Sequence, residues 1–509
     1  MKRKKYLTNR VIVAAVGFLI QLFWIIFPML KLGEYSGWIN GGLKILSLLI
    51  VLYIIRKDEN SAYKIAWIIL IVSLPLFGGI LYLFFGDKNP SKKMRRRLDA
   101  EHLQMEREFQ DDGTTLDEMR AADAGAAGIC AYLKNVSDYA VHKDTAVKYY
   151  PSGEAMFKDM ICDLEQAEYY IFLEYFIIGE GVMWNRILEI LERKVSEGVD
   201  VRLIYDDMGC ATLLPREYDR ELERRGIKCM AFNRIGPFRS MVMNHRDHRK
   251  ILVIDGHTAF TGGVNLADEY INVKKRFGHW KDTGVRLKGE AVWNFTLMFL
   301  EMWNAYRKED HRLEQFMPHV HHPEPFAGTG YVHPFGDSPL DNETVAENVY
   351  IGILSQAKHY CYIFTPYLIV DDEMKLAITL AAKRGVDVRI VTPGIPDKPL
   401  VFRLTRSNYV PLLKAGVKIY EYTPGFIHAK SYVCDDEYAV VGTINMDYRS
   451  LYLHFECGTF LYRNDAVLDL KRDAAATIRE SRPVSIRECR SGLFGSLLDA
   501  VLRILAPLF

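Results

Sequence analysis

Two histidine–lysine pairs are the part of this chain best suited to chemistry. His248 and Lys250 stand in HRKILVID (248–255), and His428 and Lys430 stand in HAKSYVCD (428–435). Each unit ends on an aspartate, Asp255 or Asp435. A glycine follows each histidine by fourteen positions (Gly262, Gly442), and an asparagine follows by seventeen (Asn265, Asn445). A repeat this long, with its sequel intact, is poorly explained by chance.

Residues two apart on a strand share a face, so each histidine and its lysine point the same way. Each aspartate has the opposite parity and sits at a turn, DGH or DDE, where it is expected to fix a hairpin. The glycine ending the return strand would let backbone approach whatever the histidine and lysine face. The asparagine adds an amide donor. One such set suits a cluster of phosphoryl oxygens. Two facing sets do more. One imidazole can attack phosphorus, while the other protonates the leaving alkoxide and later deprotonates the incoming hydroxyl. Lysines and asparagines stabilise charge on the equatorial oxygens, and the scheme needs neither metal nor cofactor. A single histidine in a strand is more often a satisfied core residue, but the duplicated spacing reverses that expectation.

The elements that position these residues are duplicated too. YYIFLEYFII (169–178) and YCYIFTPYLIV (360–370) are rich in β-branched and aromatic residues, and each follows a Gln-Ala pair. GVDVR recurs at 198–202 and 385–389, and LERRGIKCMAF (222–232) is echoed by LLKAGVKIYEY (412–422). Matched landmarks in one order signal an internal duplication. Strands alternating with helices predict an α/β fold of two tandem domains, 141–320 and 321–485, related by pseudo-twofold symmetry.

Net charge is +1 over 509 residues, so no global basic field points to nucleic acid. Positive charge is local: Lys2, Arg3, Lys4, Lys5 and Arg10, then Lys88, Lys92, Lys93, Arg95, Arg96 and Arg97. Between these clusters, 11–30 and 65–85 are uncharged runs of bilayer-spanning length, and 36–55 is a weaker third. Both basic clusters prefer the cytoplasmic side. The expectation is therefore a multi-pass anchor over 1–87 with two full crossings, the remaining segment lying in the interface. Pro75, Gly78 and Gly79 could break the last run. A charged helical linker (88–140) follows, and 486–509 is predicted to hold an amphipathic helix with Leu497, Leu498, Val501, Leu502 and Leu505 on its apolar face. The eight scattered cysteines indicate neither a zinc site nor a disulfide scaffold.

H-x-K-x-x-x-x-D followed by G-x-x-N, present twice, resembles the phospholipase D superfamily. GGVNLADEY, FIHAKSYVCDDEYAVVGTINMDYRS and SLPLFGGILYLFFG resemble its bacterial cardiolipin synthases. The resemblance implies two phospholipase D-like domains behind transmembrane helices in the bacterial plasma membrane. It also implies ping-pong exchange: one phosphatidylglycerol gives a phosphatidyl-histidine and glycerol, and a second accepts the phosphatidyl group to give cardiolipin. It assigns His248 as nucleophile and His428 as acid/base. Asn265, Asn445, Gly263 and Thr443 fall at phosphate-holding positions, and Asp282 and Glu456, downstream of the first and second motifs, are each expected to orient the histidine of their own motif. A serine often follows the motif glycine in this superfamily, so Gly263 and Thr443 should not hold phosphate identically. Phospholipase D hydrolysis and other phosphatidyl transfers remain alternatives. A nuclease or an inactive scaffold fits less well, given the anchor, the near-neutral charge and two intact motifs. The sequence leaves the oligomeric state open.

Overall fold

The computed structural model describes residues 36–86, 92–109, 111–234, 244–307, 312–341, 343–489 and 492–508. The chain forms two compact units, Met1–Ser91 with Ile235–Asn244 and Leu493–Phe509, and Lys92–Arg234 with His245–Gly492.

In the smaller unit the described elements are α1 (Ser36–Arg56), α2 (Ser61–Ser73) and α3 (Pro75–Phe85), together with a C-terminal helix, Leu493–Leu505. Tyr63, Trp67, Ile71, Tyr82 and Ile54 make its core. The run 65–85, expected to span a bilayer, is instead two short helices. Pro75 has no N–H and pushes the preceding residue out of helical geometry, and Leu74 sits there at φ −135°. Helices of 13 and 11 residues reach about 20 and 17 Å, short of a ~30 Å hydrocarbon layer. Among the described residues no helix is long and apolar enough to cross a membrane, which corrects the multi-pass expectation for this stretch. In α1 the cause is Asn40, Lys44 and the early glycines, which leave only its second half apolar. The candidate span 11–30 lies outside the described residues. Leu46, Leu49 and Tyr53 of α1 and Phe494, Leu497 and Val501 of the C-terminal helix are exposed.

The larger unit carries two mixed sheets built to one plan. The first runs β1-β9-β7-β6-β2-β3-β4, with β1 Thr145–Tyr150, β2 Tyr170–Tyr175, β3 Asp200–Asp206, β4 Lys228–Phe232, β6 Lys250–Ile254, β7 Thr258–Gly262 and β9 Gly284–Gly289. The second runs β10-β17-β16-β15-β11-β12-β13-β18, with β10 Tyr331–Asp337, β11 Tyr360–Phe364, β12 Asp387–Pro393, β13 Lys418–Tyr422, β15 Ser431–Cys434, β16 Tyr438–Gly442, β17 His454–Tyr462 and β18 Ser481–Pro483. In each, two parallel pairings lie beside antiparallel hairpins, and helices cover the sheet. The central strands are buried along their whole length, with Glu174 and Lys250 the charged residues among their apolar ones. Helix Val292–Arg307 is buried along nearly its whole length.

Three short strands join the halves. β5 (Arg246–Asp247) pairs in parallel with β17 of the second half. Reciprocally, β14 (Gly425–Ile427) pairs in parallel with β8 (His279–Lys281) of the first. Each histidine is thus delivered by a strand that has crossed to the opposite half.

Candidate active site

The crossing fixes the backbone of both histidines. His248 N–H donates to Phe455 O at 2.9 Å, and His428 N–H donates to Lys281 O at 2.7 Å. The next residue along each receiving strand is an acid, Glu456 or Asp282. His248 Nδ1 lies 2.9 Å from both Glu456 oxygens, and His428 Nδ1 lies 2.7 Å from Asp282 Oδ2. The sequence pairs each histidine with the acid downstream of its own motif. The structure exchanges them, because the inter-half strands bring the other half's acid closer. A carboxylate can only accept, so each Nδ1 carries the proton and each Nε2 keeps its lone pair.

Both acids are fully buried. The imidazole beside Asp282 holds its carboxyl below the usual range against the opposing effect of burial. Burial, reinforced by Lys250, drives His248 well below the usual imidazole value. Burial and Lys430 bring His428 down to about 4 against the pull of Asp282. The lysines are also desolvated: Lys250 falls to about 8 and Lys430 to about 7. Each ammonium donates to the carbonyl of its own histidine. Lys430 Nζ also lies against the edge of its histidine's ring, 2.8 Å from His428 Nδ1 and 2.9 Å from Nε2, whereas His248 Nε2 has no hydrogen-bond partner among the described residues.

The motif aspartates sit at the far ends of their strands, away from the imidazoles. Asp255 accepts from the amides of Glu168, Tyr169 and Tyr170. Asp435 does the same for Lys358, His359 and Tyr360. They lock the hairpin turn to the start of the neighbouring strand, with φ of 48° and 53°. Gly262 and Gly442 allow a close approach, but to the adjacent strand. A Cβ would stand 2.4 Å from Thr283 O at the first and 2.5 Å from Cys457 O at the second.

Three of the residues expected to hold phosphate have contacts around the histidines and their acids. Asn265 accepts from Ile177 N–H (3.0 Å) and donates to Tyr270 Oη (2.8 Å), so both ends of its amide are occupied. Tyr270 and Trp280 in turn pack on His428, with ring centroids 5.5 and 5.3 Å away. Thr443 Oγ1 donates to Glu456 Oε2 at 2.5 Å. Gly263 leaves the space that Asp282 fills, since a Cβ would lie 2.0 Å from Asp282 Oδ1. Asn445 donates to Ser450 Oγ (3.1 Å), and its buried Oδ1 has no hydrogen-bond partner among the described residues.

Sequence reasoning passed over two features. Phe176 packs edge-on against His248 at 4.8 Å. His454, two residues before Glu456, has its ring 5.6 Å from that of His248. The signal for His454 was its i, i+2 spacing to an acid on one strand.

Comparison with known proteins agrees with this architecture. Residues 160–277 and 350–477 match the family described as cardiolipin synthase, PLD-like domain. Residues 45–86 match the phospholipase D-nuclease N-terminal family. A cardiolipin synthase of a Geobacillus species is 32% identical over 503 residues, covering 97% of each chain. An uncharacterized protein of Streptococcus mutans is 46% identical over 90% of this chain and 99% of its own. Among solved structures, a phosphatidylserine synthase of Haemophilus influenzae shares the fold with a TM-score of 0.53 at 14% identity, covering 71% of this chain and 93% of that one. Paired histidine–lysine units, duplicated sheets and near full-length similarity agree: this chain belongs to the cardiolipin synthase family of phospholipase D-like proteins.

Proposed function

We infer that the protein is a cardiolipin synthase, transferring a phosphatidyl group between two phosphatidylglycerol molecules with release of glycerol. The observation that carries the reading is the reciprocal pair of imidazoles, each hydrogen-bonded through Nδ1 to a buried acid of the opposite half. Such a site has two lone pairs on Nε2 and two ammonium groups for one phosphodiester.

His248 is the better nucleophile, because its Nε2 is unengaged while Lys430 occupies that of His428. In the first half-reaction His248 Nε2 bonds to phosphorus and the P–O bond to glycerol breaks. The Lys430 ammonium, 2.9 Å from His428 Nε2, passes a proton to that nitrogen, which gives it to the departing glycerol oxygen. In the second, His428 takes the proton from a hydroxyl of the incoming phosphatidylglycerol. That oxygen bonds to phosphorus, the N–P bond breaks, and cardiolipin leaves. Lys250 and Lys430 stabilise the equatorial oxygens. Glu456 and Asp282 hold the tautomers, and Asp255 and Asp435 hold the hairpins.

The reaction takes place at a membrane. The exposed apolar residues of α1 and of helix Leu493–Leu505 support contact of the smaller unit with lipid, lying in the interface. We assign 141–320 and 321–485 as the two catalytic halves.

The test is purified protein in phosphatidylglycerol vesicles with EDTA, following glycerol, cardiolipin and phosphatidic acid together. Equal release of glycerol and cardiolipin, lost in His248→Ala and His428→Ala, is expected. Phosphatidic acid in place of cardiolipin would make the protein a hydrolase.

A further inference from the structure

We propose that His248, His454 and Glu456 form a binding site for a divalent transition cation of the zinc type, and that the bound ion switches the enzyme off. The ligand atoms of the three residues all lie within 4.8 Å of one another. His454 and Glu456 share one face of β17, and His454 Nδ1 is 3.8 Å from Glu456 Oε1. His248 Nδ1 is 2.9 Å from the same oxygen. These separations bracket the roughly 3.5 Å expected between ligands of a tetrahedral ion with ~2.0–2.2 Å bonds. Two imidazoles and a carboxylate are also a recognised zinc donor set that leaves a fourth position open.

The second observation is His454 itself. Its side chain is only 10% exposed, and among the described residues neither ring nitrogen has a hydrogen-bond partner. A largely shielded imidazole whose nearest carboxylate, Glu456, stands at 3.8 Å calls for an explanation. The duplication sharpens the point. Trp280 occupies the corresponding place in the first half, two residues before Asp282, so the His428 pair lacks a third nitrogen. Lys250 and Lys430 oppose any cation here and a single carboxylate compensates. The site therefore favours ions bound through nitrogen over magnesium or calcium.

Binding exchanges one proton for the ion. The Nδ1 proton of His248 goes to solvent, the metal takes its place between imidazole and carboxylate, and nothing is oxidised or reduced. The metal then draws density from the ring whose Nε2 must attack phosphorus. This inhibitory consequence rests on the transfer reading above, whereas the binding does not.

The probe is cobalt(II), titrated into the full-length protein in detergent after EDTA treatment. One equivalent is expected to give visible ligand-field bands without a sulfur-to-cobalt charge-transfer band. Zinc should displace it, and a hundredfold excess of magnesium should not. His454→Gln should weaken binding at least tenfold. His454→Cys should keep the ion and add the charge-transfer band, a gain of signal that an unfolded protein cannot give. Absence of ligand-field bands, a thiolate band in the unmodified protein, or equal affinity in His454→Gln would each overturn the site. Protein that makes cardiolipin yet binds no cobalt sinks this proposal alone. Protein that binds cobalt yet, stripped of it with EDTA, makes no cardiolipin sinks the transfer reading alone.

Discussion

The two halves share one sheet order and one motif, yet they surround their histidines differently. His248 has Glu456 behind it, Thr443 behind Glu456, and two ring neighbours in Phe176 and His454. His428 has Asp282 packed against Gly263, an aromatic wall of Tyr270 and Trp280, and its own lysine on Nε2. The shorter aspartate sits tight against backbone where the glycine leaves room. The longer glutamate reaches further and is steered by a hydroxyl. A duplicated fold can therefore hold two chemically equivalent pairs while assigning them different work: one lone pair is left open to attack, and the other is kept beside a proton donor.

The sharpest way to break this comparison is to remove each imidazole and change the leaving group. His248→Ala should lose at least about a thousandfold with any substrate, since no covalent intermediate forms. His428→Ala should lose a similar factor with phosphatidylglycerol. With a phosphatidyl ester of p-nitrophenol, which needs no protonation to leave, His428→Ala should still show a burst of one nitrophenolate per protein. A burst in His248→Ala and none in His428→Ala would reverse the assignment.

The exchanged acids come next. Glu456→Gln should behave as a weakened His248 variant and Asp282→Asn as a weakened His428 variant, each about a hundredfold down. In double variants, Glu456→Gln should add little to His248→Ala, because the two act as one unit. If Glu456→Gln instead proves redundant with His428→Ala, the crossing is wrong.

That crossing marks where the sequence stopped being legible. Strands, hairpins and the role of Asp255 and Asp435 followed from spacing along a continuous stretch, and both acids stood at matching places after their motifs. Their partners depend on β5 with β17 and β14 with β8, pairings between residues about 145 to 210 positions apart. Asn265 and Thr443 were expected to hold phosphate because donors near the motif look available in one dimension. In the fold, Ile177, Tyr270 and Glu456 claim them. The break at Pro75 was written in the letters, but the hydropathy of 65–85 averaged over it. His454 went unnoticed because the repeat has tryptophan at that place and so offers no echo.

Smaller changes sharpen the comparison of the acids. Thr443→Val removes a hydrogen bond to a carboxylate, worth about 1.5–3 kcal/mol, so a loss of roughly ten- to a hundredfold is expected, at the lower end if Glu456 stays in place. Gly263→Ala should displace Asp282 and cut activity by a comparable factor. The two differ in their signature: only Gly263→Ala should spare the burst with the p-nitrophenyl ester. Equal loss of the burst in both would show that the halves are not independently tuned.

The smallest effect is the pH dependence set by the two lysines. Lys430, pushed by burial to about 7 from 10.5, loses its charge before Lys250, at about 8. Between pH 7 and 10.5 the unfolded chain binds the proton that folded Lys430 has released, so this group makes stability rise with pH across that window. Activity should move the other way. Above pH 7 the empty site has lost an ammonium that attracts the phosphodiester, and a bound anion restores it by raising the pKa. The limb in kcat/KM, which reports the free enzyme, should therefore begin near pH 7, while the limb in kcat lies at higher pH. A few-fold rise in KM between pH 7 and 8 at nearly constant kcat is the expected result. Coincident limbs would mean that the lysines do not meet the phosphate, and that the asymmetry between the halves lies in the histidines and acids alone.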